Sequence, residues 1–211
     1  MVIYTIESSD DTYYLRYLTL TGIIINPGVH LDLPFLFKRF PTLQYLTISE
    51  CDLDYLPPEI GILTRLKSLT INDNHLRFLP DEIGNLRSLE ELYVDNNELT
   101  VLPSTIGNLT NLQILSVEYN NLTRLPTEIG SMVNLQALYV IGNDISGLPS
   151  SIGNLSQLQE IDGDISIVDN LPVSLALPIC YFLSRPLVDS LIHWSKTIID
   201  SENHRFGESE R

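Results

Sequence analysis

Residues 66–88 read LKSLTINDNHLRFLPDEIGNLRS, and nearly the same pattern recurs in frame every 23 residues along the chain. The five units over residues 43–157 each contain a Leu-Pro pair and an Ile-Gly pair at fixed positions. The leucines that begin the units are Leu43, Leu66, Leu89, Leu112, Leu135 and Leu158. A fixed period of this size indicates stacked supersecondary units that bury one continuous core.

One unit can be interpreted residue by residue. Leu69 and Ile71 alternate with polar residues, which predicts a short half-buried strand. Asn74 follows at a bend, where its amide can satisfy backbone groups that have left the strand ladder. Pro80 ends the regular pairing, and the next residues can form one helical turn. Gly84 suits a tight or left-handed position in that turn.

This pattern, LxxLxLxxNxLxxLPxxIGxLxx, resembles the leucine-rich repeat, in particular the Ras-group class of Scribble-like scaffolds, the Ras suppressor and related plant intracellular proteins. The resemblance implies an α/β leucine-rich-repeat solenoid, a curved right-handed arc. Its parallel β-sheet would line the concave face, and short helical turns and loops would form the convex face. The structural Asn slot of the repeat holds Cys51, Asn74, Asn97, Asn120 and Asn143.

The repeats are expected to span residues 20–172. Five clear units cover 43–157, and degenerate units lie at 20–42 and 158–172. In the first degenerate unit, phenylalanines stand where the pattern has Ile and Leu. In the last, a glycine replaces an apolar strand residue.

The two ends are predicted to be caps, because the terminal units of a solenoid would otherwise expose an apolar face. Residues 1–19 read as a β-hairpin, since two stretches rich in β-branched and aromatic residues flank a polar turn. Residues 173–200 read as a helical cap with a helix at about 185–199. Residues 201–211 are polar and are expected to be disordered.

The charge of the chain restricts its partners. A net charge of −15 disfavours nucleic acid and anionic membrane surfaces and favours a basic patch on another protein. The start of the chain lacks the basic and apolar segments of a signal peptide, which predicts a cytoplasmic location. Cys51 and Cys180 show no framework of paired cysteines, and this also fits a reducing compartment. We expect a monomer.

No catalytic motif is present in the sequence. The histidines at 30, 75, 193 and 204 are scattered and do not share a metal-ligand spacing with cysteine. A phosphate-binding loop and a nucleophile elbow are both missing. The sequence therefore predicts a protein that is not an enzyme, with no catalytic residue, no cofactor and no metal site.

The outward strand positions remain as the predicted binding face, because they are not needed for the core. They combine tyrosines, which are enriched at binding hot spots, with carboxylates. Such a surface suits Lys and Arg through charge pairing and cation–π contact. The predicted partner-binding residues are Tyr45, Asn72, Asp73, Glu91, Tyr93, Asp95, Glu118, Tyr119, Tyr139, Glu160 and Asp162.

Three functional hypotheses follow. The first is a non-enzymatic scaffold or adaptor whose acidic, tyrosine-bearing concave face binds a basic partner; the resemblance adds small GTPases and their signalling complexes as candidates. The second is a secreted or cell-surface recognition protein, in which the sequons at Asn108, Asn121 and Asn154 would be glycosylated. The third is a scaffold whose C-terminal helix is the docking element, through Leu187, Leu191, Trp194 and Ile198.

Overall fold

The computed structural model describes residues 3–9 and 20–164, which form a solenoid with one parallel sheet of eight strands. The strands lie in the sheet in chain order, so each coil packs only between its sequence neighbours. The predicted fold class is confirmed. The strands are β1 Ile3–Ile6, β2 Gly22–Ile25, β3 Tyr45–Ile48, β4 Ser68–Thr70, β5 Glu91–Tyr93, β6 Ile114–Ser116, β7 Ala137–Tyr139 and β8 Glu160–Asp162.

The register of the sheet follows the sequence period from β2 onward. Leu69 pairs with Leu92, and Leu92 pairs with Leu115, each 23 residues further along. Residues at one repeat position therefore form a column that crosses the sheet, with about 4.8 Å between neighbouring strands. The repeat position of a residue thus tells which side chains stand next to it.

The core consists of the apolar repeat positions. Leu69, Ile71, Leu76 and Ile83 are fully buried, and so is Met132 at a leucine position. Burying one such side chain stabilises the fold by about 1.5–3 kcal/mol. Because every coil supplies the same set, the core runs without interruption from Ile6 in β1 to Ile161 in β8.

Short 3-10 helices lie on the opposite side of each coil from the strand. Proline precedes the first helical residue and holds the extended backbone that enters the turn; for Pro80, φ is −66° and ψ is 150°. The Ile83 amide then donates to the Pro80 carbonyl at 3.0 Å. The 3-10 helices are Pro58–Ile62, Asp81–Asn85, Ser104–Asn108, Thr127–Ser131 and Ser150–Asn154.

Gly84 serves close packing between coils, and the alternative of a left-handed backbone at this position was wrong. Left-handed backbone occurs at Gly28 and Gly142 among the described glycines, but not at Gly84. A Cβ atom at Gly84 would lie 2.5 Å from the Thr105 carbonyl oxygen of the next coil. The Ile-Gly pair therefore recurs because neighbouring 3-10 helices touch at this point.

The N-terminal end departs from the regular repeat in two ways. β1 pairs in parallel with β2, and Ile6 is fully buried, so this strand of the predicted cap belongs to the main sheet. The second arm of the predicted hairpin falls outside the described residues. In the first degenerate unit, an α-helix, α1 (Leu33–Arg39), replaces the 3-10 turn, and the Asp32 side chain caps it by accepting from the Phe35 amide at 2.9 Å.

The C-terminal predictions lie beyond Asp164, outside the described residues. They are the end of the degenerate unit at 158–172, the cap at 173–200 with its helix at about 185–199, and the tail at 201–211. They stay predictions. No helix within residues 3–9 and 20–164 is long and apolar enough to cross a membrane.

Candidate functional site

The strand face is the name used here for the outward side chains of β3–β8 and of the bends that follow these strands. Its two strand columns are defined by the sheet register. The first column is Tyr45, Ser68, Glu91, Ile114, Ala137 and Glu160, and the second is Thr47, Thr70, Tyr93, Ser116, Tyr139 and Asp162. Neither column contains a Lys or Arg.

Buried asparagines hold the bends that shape one edge of the strand face. The Asn97 amide nitrogen donates to the carbonyls of Ile71, Val94 and Asp95 at 2.9, 3.3 and 3.1 Å. Its oxygen accepts from the Leu76 amide at 3.0 Å. Each of these asparagines therefore ties its own bend to the previous coil. The same arrangement recurs at the buried Asn74 and Asn120 and at Asn143, which is half-buried.

Cys51 occupies the same slot with weaker hydrogen bonds. Its Sγ lies 3.2 Å from the Ser49 carbonyl and 3.5 Å from the Asn26 carbonyl, but a thiol has only one proton to donate. Burial raises the pKa of this thiol, and Asp52 adds to the effect. Cys51 is therefore a structural residue and is poorly suited to act as a nucleophile.

All eleven predicted partner-binding residues lie on the strand face. Six are half-buried strand residues, and three lie two residues after the end of a strand. Asp73 and Tyr119 are exposed at the bend. A dense group forms on β5–β8 and the bends after them, whereas Tyr45 stands apart on β3. The members of the dense group are Glu91, Tyr93, Asp95, Glu118, Tyr139, Glu160 and Asp162.

Tyr93 and Tyr139 form the aromatic centre of the dense group. They share a column with Ser116 between them, as predicted. The Tyr139 hydroxyl donates to Glu160 Oε2 at 2.8 Å. Burial and this hydrogen bond raise the pKa of Tyr139 to about 12. Burial also raises the pKa of Tyr93, with Glu91 contributing, so both hydroxyls are neutral donors at neutral pH.

Asp95 and Asn72 have structural duties that the sequence did not reveal. Asp95 Oδ1 accepts from the Ser116 hydroxyl at 2.5 Å and from the Glu118 amide at 2.8 Å. The Asn72 side chain donates to Asp95 Oδ2 at 3.3 Å and accepts from the Asp95 amide at 2.9 Å. The expectation that outward positions serve recognition alone is therefore wrong for these two residues.

Glu118 and Asp162 carry negative charge that nearby residues do not neutralise. Burial raises the pKa of Glu118, and the carboxylates of Asp95 and Asp162 raise it further. Asp162 Oδ1 is buried and has no hydrogen-bond partner within the described ranges. A cation placed between these groups would relieve their repulsion.

Tyr119 occupies an unusual backbone conformation at the bend. Its φ is +49°, in the left-handed region, where a bulky residue is rare. The equivalent positions in other coils hold Glu50, Asp73, Asn96 and Gly142. The Tyr119 ring is 57% exposed and lies over Gly142, where a Cβ atom would come within 2.5 Å of the ring. The glycine thus makes room for the tyrosine. The identity of residue 119 alone does not predict this contact, because the contact also depends on residue 142.

Three further predictions concern metal binding, glycosylation and a docking helix. No group of His, Cys, Asp and Glu in the described ranges could hold a metal ion. The sequon asparagines Asn108, Asn121 and Asn154 are all exposed, so their geometry is compatible with glycosylation and does not favour it. The proposed docking helix lies outside the described residues.

Sequence analysis missed an exposed apolar row formed by Tyr55, Phe78 and Val101. The signal was present in the sequence, because the three residues are spaced 23 apart and each precedes the leucine of a Leu-Pro pair. The repeat pattern is defined by the leucine and proline, which recur in every clear unit, whereas the residue before them varies.

Comparison with known proteins agrees with this architecture. A solved structure of a leucine-rich repeat protein from Leptospira interrogans is similar, with 28% sequence identity and a TM-score of 0.66. The match covers 76% of this chain and 46% of the Leptospira chain, so it spans about half the length of the Leptospira protein. No curated protein matches the sequence of this chain.

Two family descriptions match the chain directly. The description "Leucine-rich repeat region" matches residues 4–120, which is more than half of the chain, and "Leucine Rich Repeat" matches residues 111–132. The sheet register, the buried asparagines and the stacked 3-10 helices give the physical basis of these matches. The chain belongs to the leucine-rich repeat family.

Proposed function

We propose that this protein is a non-enzymatic interaction module, a scaffold or adaptor, which binds a basic surface of another protein on the strand face. Leucine-rich repeat domains are generally protein-binding modules, and this family membership supports a protein-binding function. The single observation that carries the finer claim is the dense group on β5–β8. It brings two tyrosines and five carboxylates together without a basic residue in either strand column.

The electrostatics of the dense group support a cationic ligand. Glu118 has a raised pKa next to Asp95 and Asp162, so its negative charge is held at a cost in the free protein. An Arg or Lys side chain seated there would gain charge-assisted hydrogen bonds. The rings of Tyr93 and Tyr139 add contact area and cation–π attraction. Both effects act on the same cation, so they favour the same partner.

Charge would also govern how fast the partner arrives. Complementary charges raise association rates, and salt screens this effect. A small GTPase or a signalling complex with a basic surface would be a partner of this kind, in a cytoplasmic setting and with the protein as a monomer. Identification of the partner requires affinity capture from the native host, followed by mass spectrometry.

The test is the association rate of the captured partner with Glu118→Lys and with Glu128→Lys. Both substitutions change the net charge equally, but Glu128 lies on the 3-10 helix Thr127–Ser131, on the opposite side of the coil. We expect Glu118→Lys to slow association at low salt by about ten-fold and Glu128→Lys to change it little. High salt should remove most of the difference. Equal rates for the two variants, or a rate for the unaltered protein that salt does not change, would contradict the proposal.

A further inference from the structure

A row of exposed apolar side chains lies on the segments that lead from the bends to the 3-10 helices. Tyr55, Phe78 and Val101 are 59%, 57% and 44% exposed. They occupy the same repeat position on three consecutive coils, so they stand side by side on neighbouring coils. In the coils before and after, this position holds Asp32 and Arg124, which bound the row. Tyr55, Phe78 and Val101 together form the flank row.

A cavity of about 350 Å³ adjoins the flank row at Tyr55. Its apolar lining includes Leu31, Leu53 and Tyr55, and its lining also includes the carboxylates of Asp32, Asp52 and Asp54. The Asp32 carboxylate caps α1, and Asp52 and Asp54 remain as acidic side chains of the lining. A lining of apolar and acidic residues fits a Lys or Arg side chain, whose aliphatic stem packs on apolar surface while its charged end stays near acceptors. Tyr55 can also take part in a cation–π contact.

The charges around the row and the cavity are negative overall. His75 lies 3.7 Å from Asp52 and 3.4 Å from Glu98, and Arg77 lies 3.3 Å from Glu98. His75 and Arg77, which lie on the coils of the row, are therefore each beside a carboxylate, and Arg124 stands at the end of the row away from the cavity. Asp54 has no ion-pair partner within residues 3–9 and 20–164, so the cavity keeps negative charge for a ligand to neutralise.

We propose that the flank row and its cavity form a second docking surface, distinct from the strand face, for a segment of another protein that carries apolar side chains next to Lys or Arg. The cationic side chain enters the cavity beside Tyr55, and the apolar side chains cover Phe78 and Val101. Charge complementarity selects this occupant. A second copy of the chain carries a net charge of −15 and would be repelled. The two surfaces would allow one protein to hold two partners.

The test uses a displayed library of random linear peptides selected on the full-length protein. Selected peptides are measured against Val101→Glu, against Val133→Glu and against a strand-face variant that combines Glu91→Lys with Tyr93→Ala. Val133 is the matched control, because it is a valine of similar exposure, 49%, outside the row. We expect a class of peptides with Lys or Arg beside aromatic or aliphatic residues. These peptides should bind Val101→Glu at least about ten-fold more weakly and should bind the other two variants as they bind the unaltered protein.

Three outcomes would overturn the proposal. One is the recovery of no peptide that is sensitive to Val101→Glu. Another is a sensitive class without basic residues, which would remove the argument from charge. The third is self-association of the unaltered protein in sedimentation experiments that is abolished by Val101→Glu, because the occupant would then be a second copy. Circular dichroism and urea unfolding of both valine variants would show that each is folded.

Discussion

The column of buried asparagines and the column of outward tyrosines lie on the same coils, a few residues apart, yet the sequence repeats in only one of them. Asn74, Asn97, Asn120 and Asn143 satisfy the same backbone groups on successive coils. The outward column instead changes from Thr70 to Tyr93, Ser116, Tyr139 and Asp162. A position that must satisfy the same backbone groups on every coil keeps the same residue. A position without such a task can vary from coil to coil.

The dense group shows that this contrast is not absolute. Asp95 is an outward residue, but it accepts hydrogen bonds from Ser116, Glu118 and Asn72. It therefore contributes to the fold through neighbours on both adjacent coils. Glu118 lies on the same face, and its pKa is raised, so its charged form lowers the stability of the folded protein. The following variants test where the boundary between folding and binding residues lies.

The largest effect is expected for Asn97→Ala. This variant leaves the Leu76 amide without its partner in a buried bend, whereas the carbonyls of Ile71 and Val94 keep one donor each, from Asn74 and Asn120. Since an unsatisfied buried group costs about 1–3 kcal/mol, we expect the free energy of unfolding to fall by about 2–3 kcal/mol. Urea denaturation measures it. Asn121→Ala, at an exposed asparagine, is the control and should change it by less than about 0.5 kcal/mol.

Cys51→Asn should stabilise the protein. An asparagine has two amide protons where the thiol has one, and it can serve both the Ser49 and the Ile25 carbonyls. We expect the free energy of unfolding to rise by about 1 kcal/mol, as for other substitutions toward a consensus. The comparison with Cys51→Ala separates the gain in hydrogen bonds from the loss of the thiol. A Cys51→Asn variant that is no more stable than Cys51→Ala would show that this slot has lost its repeat function in the first clear unit.

The smallest effect is expected for Glu118→Gln. The folded protein raises the pKa of Glu118 above its ordinary value of 4.5, so folding disfavours the charged form. The variant should be more stable at neutral pH, by less than about 1 kcal/mol because the site is partly solvated. This advantage should be full above the raised pKa and should disappear as the pH falls below 4.5. Glu82→Gln, at an exposed residue, serves as the control in the same urea titrations. An advantage that is equal at all pH values would exclude the buried charge of Glu118 as its cause.

Periodicity predicted most of the fold, because each core residue answers a demand that recurs on every coil. Leu69, Ile71 and Asn74 could be assigned to strand, core and bend from their repeat positions, and the shared column of Tyr93 and Tyr139 followed from the same count. The packing role of Gly84 could not be assigned, since close contact with Thr105 depends on how far apart two coils stack. Neither could the joining of β1 to the main sheet, because its spacing to β2 departs from the repeat.

The candidate site was predictable in membership but not in the roles of its members. The six strand residues lie on the strand face because side chains alternate along a strand, and the other five follow from the repeat position of the bend. The ties between Asp95, Ser116 and Asn72 depend on rotamers and on the distance between coils. The left-handed backbone of Tyr119 and the space left by Gly142 are likewise a relation between two coils. Such relations appear only once the coils are stacked.

The central claim is that Glu91 and Tyr93 of the strand face bind the partner without being needed for the fold, and the double variant Glu91→Lys with Tyr93→Ala tests it most directly. Its affinity for the captured partner and its urea unfolding are measured side by side with those of the unaltered protein. We predict that binding weakens by about a hundred-fold or more, whereas the free energy of unfolding falls by no more than about 1–2 kcal/mol. Undiminished binding by the folded double variant would contradict the account.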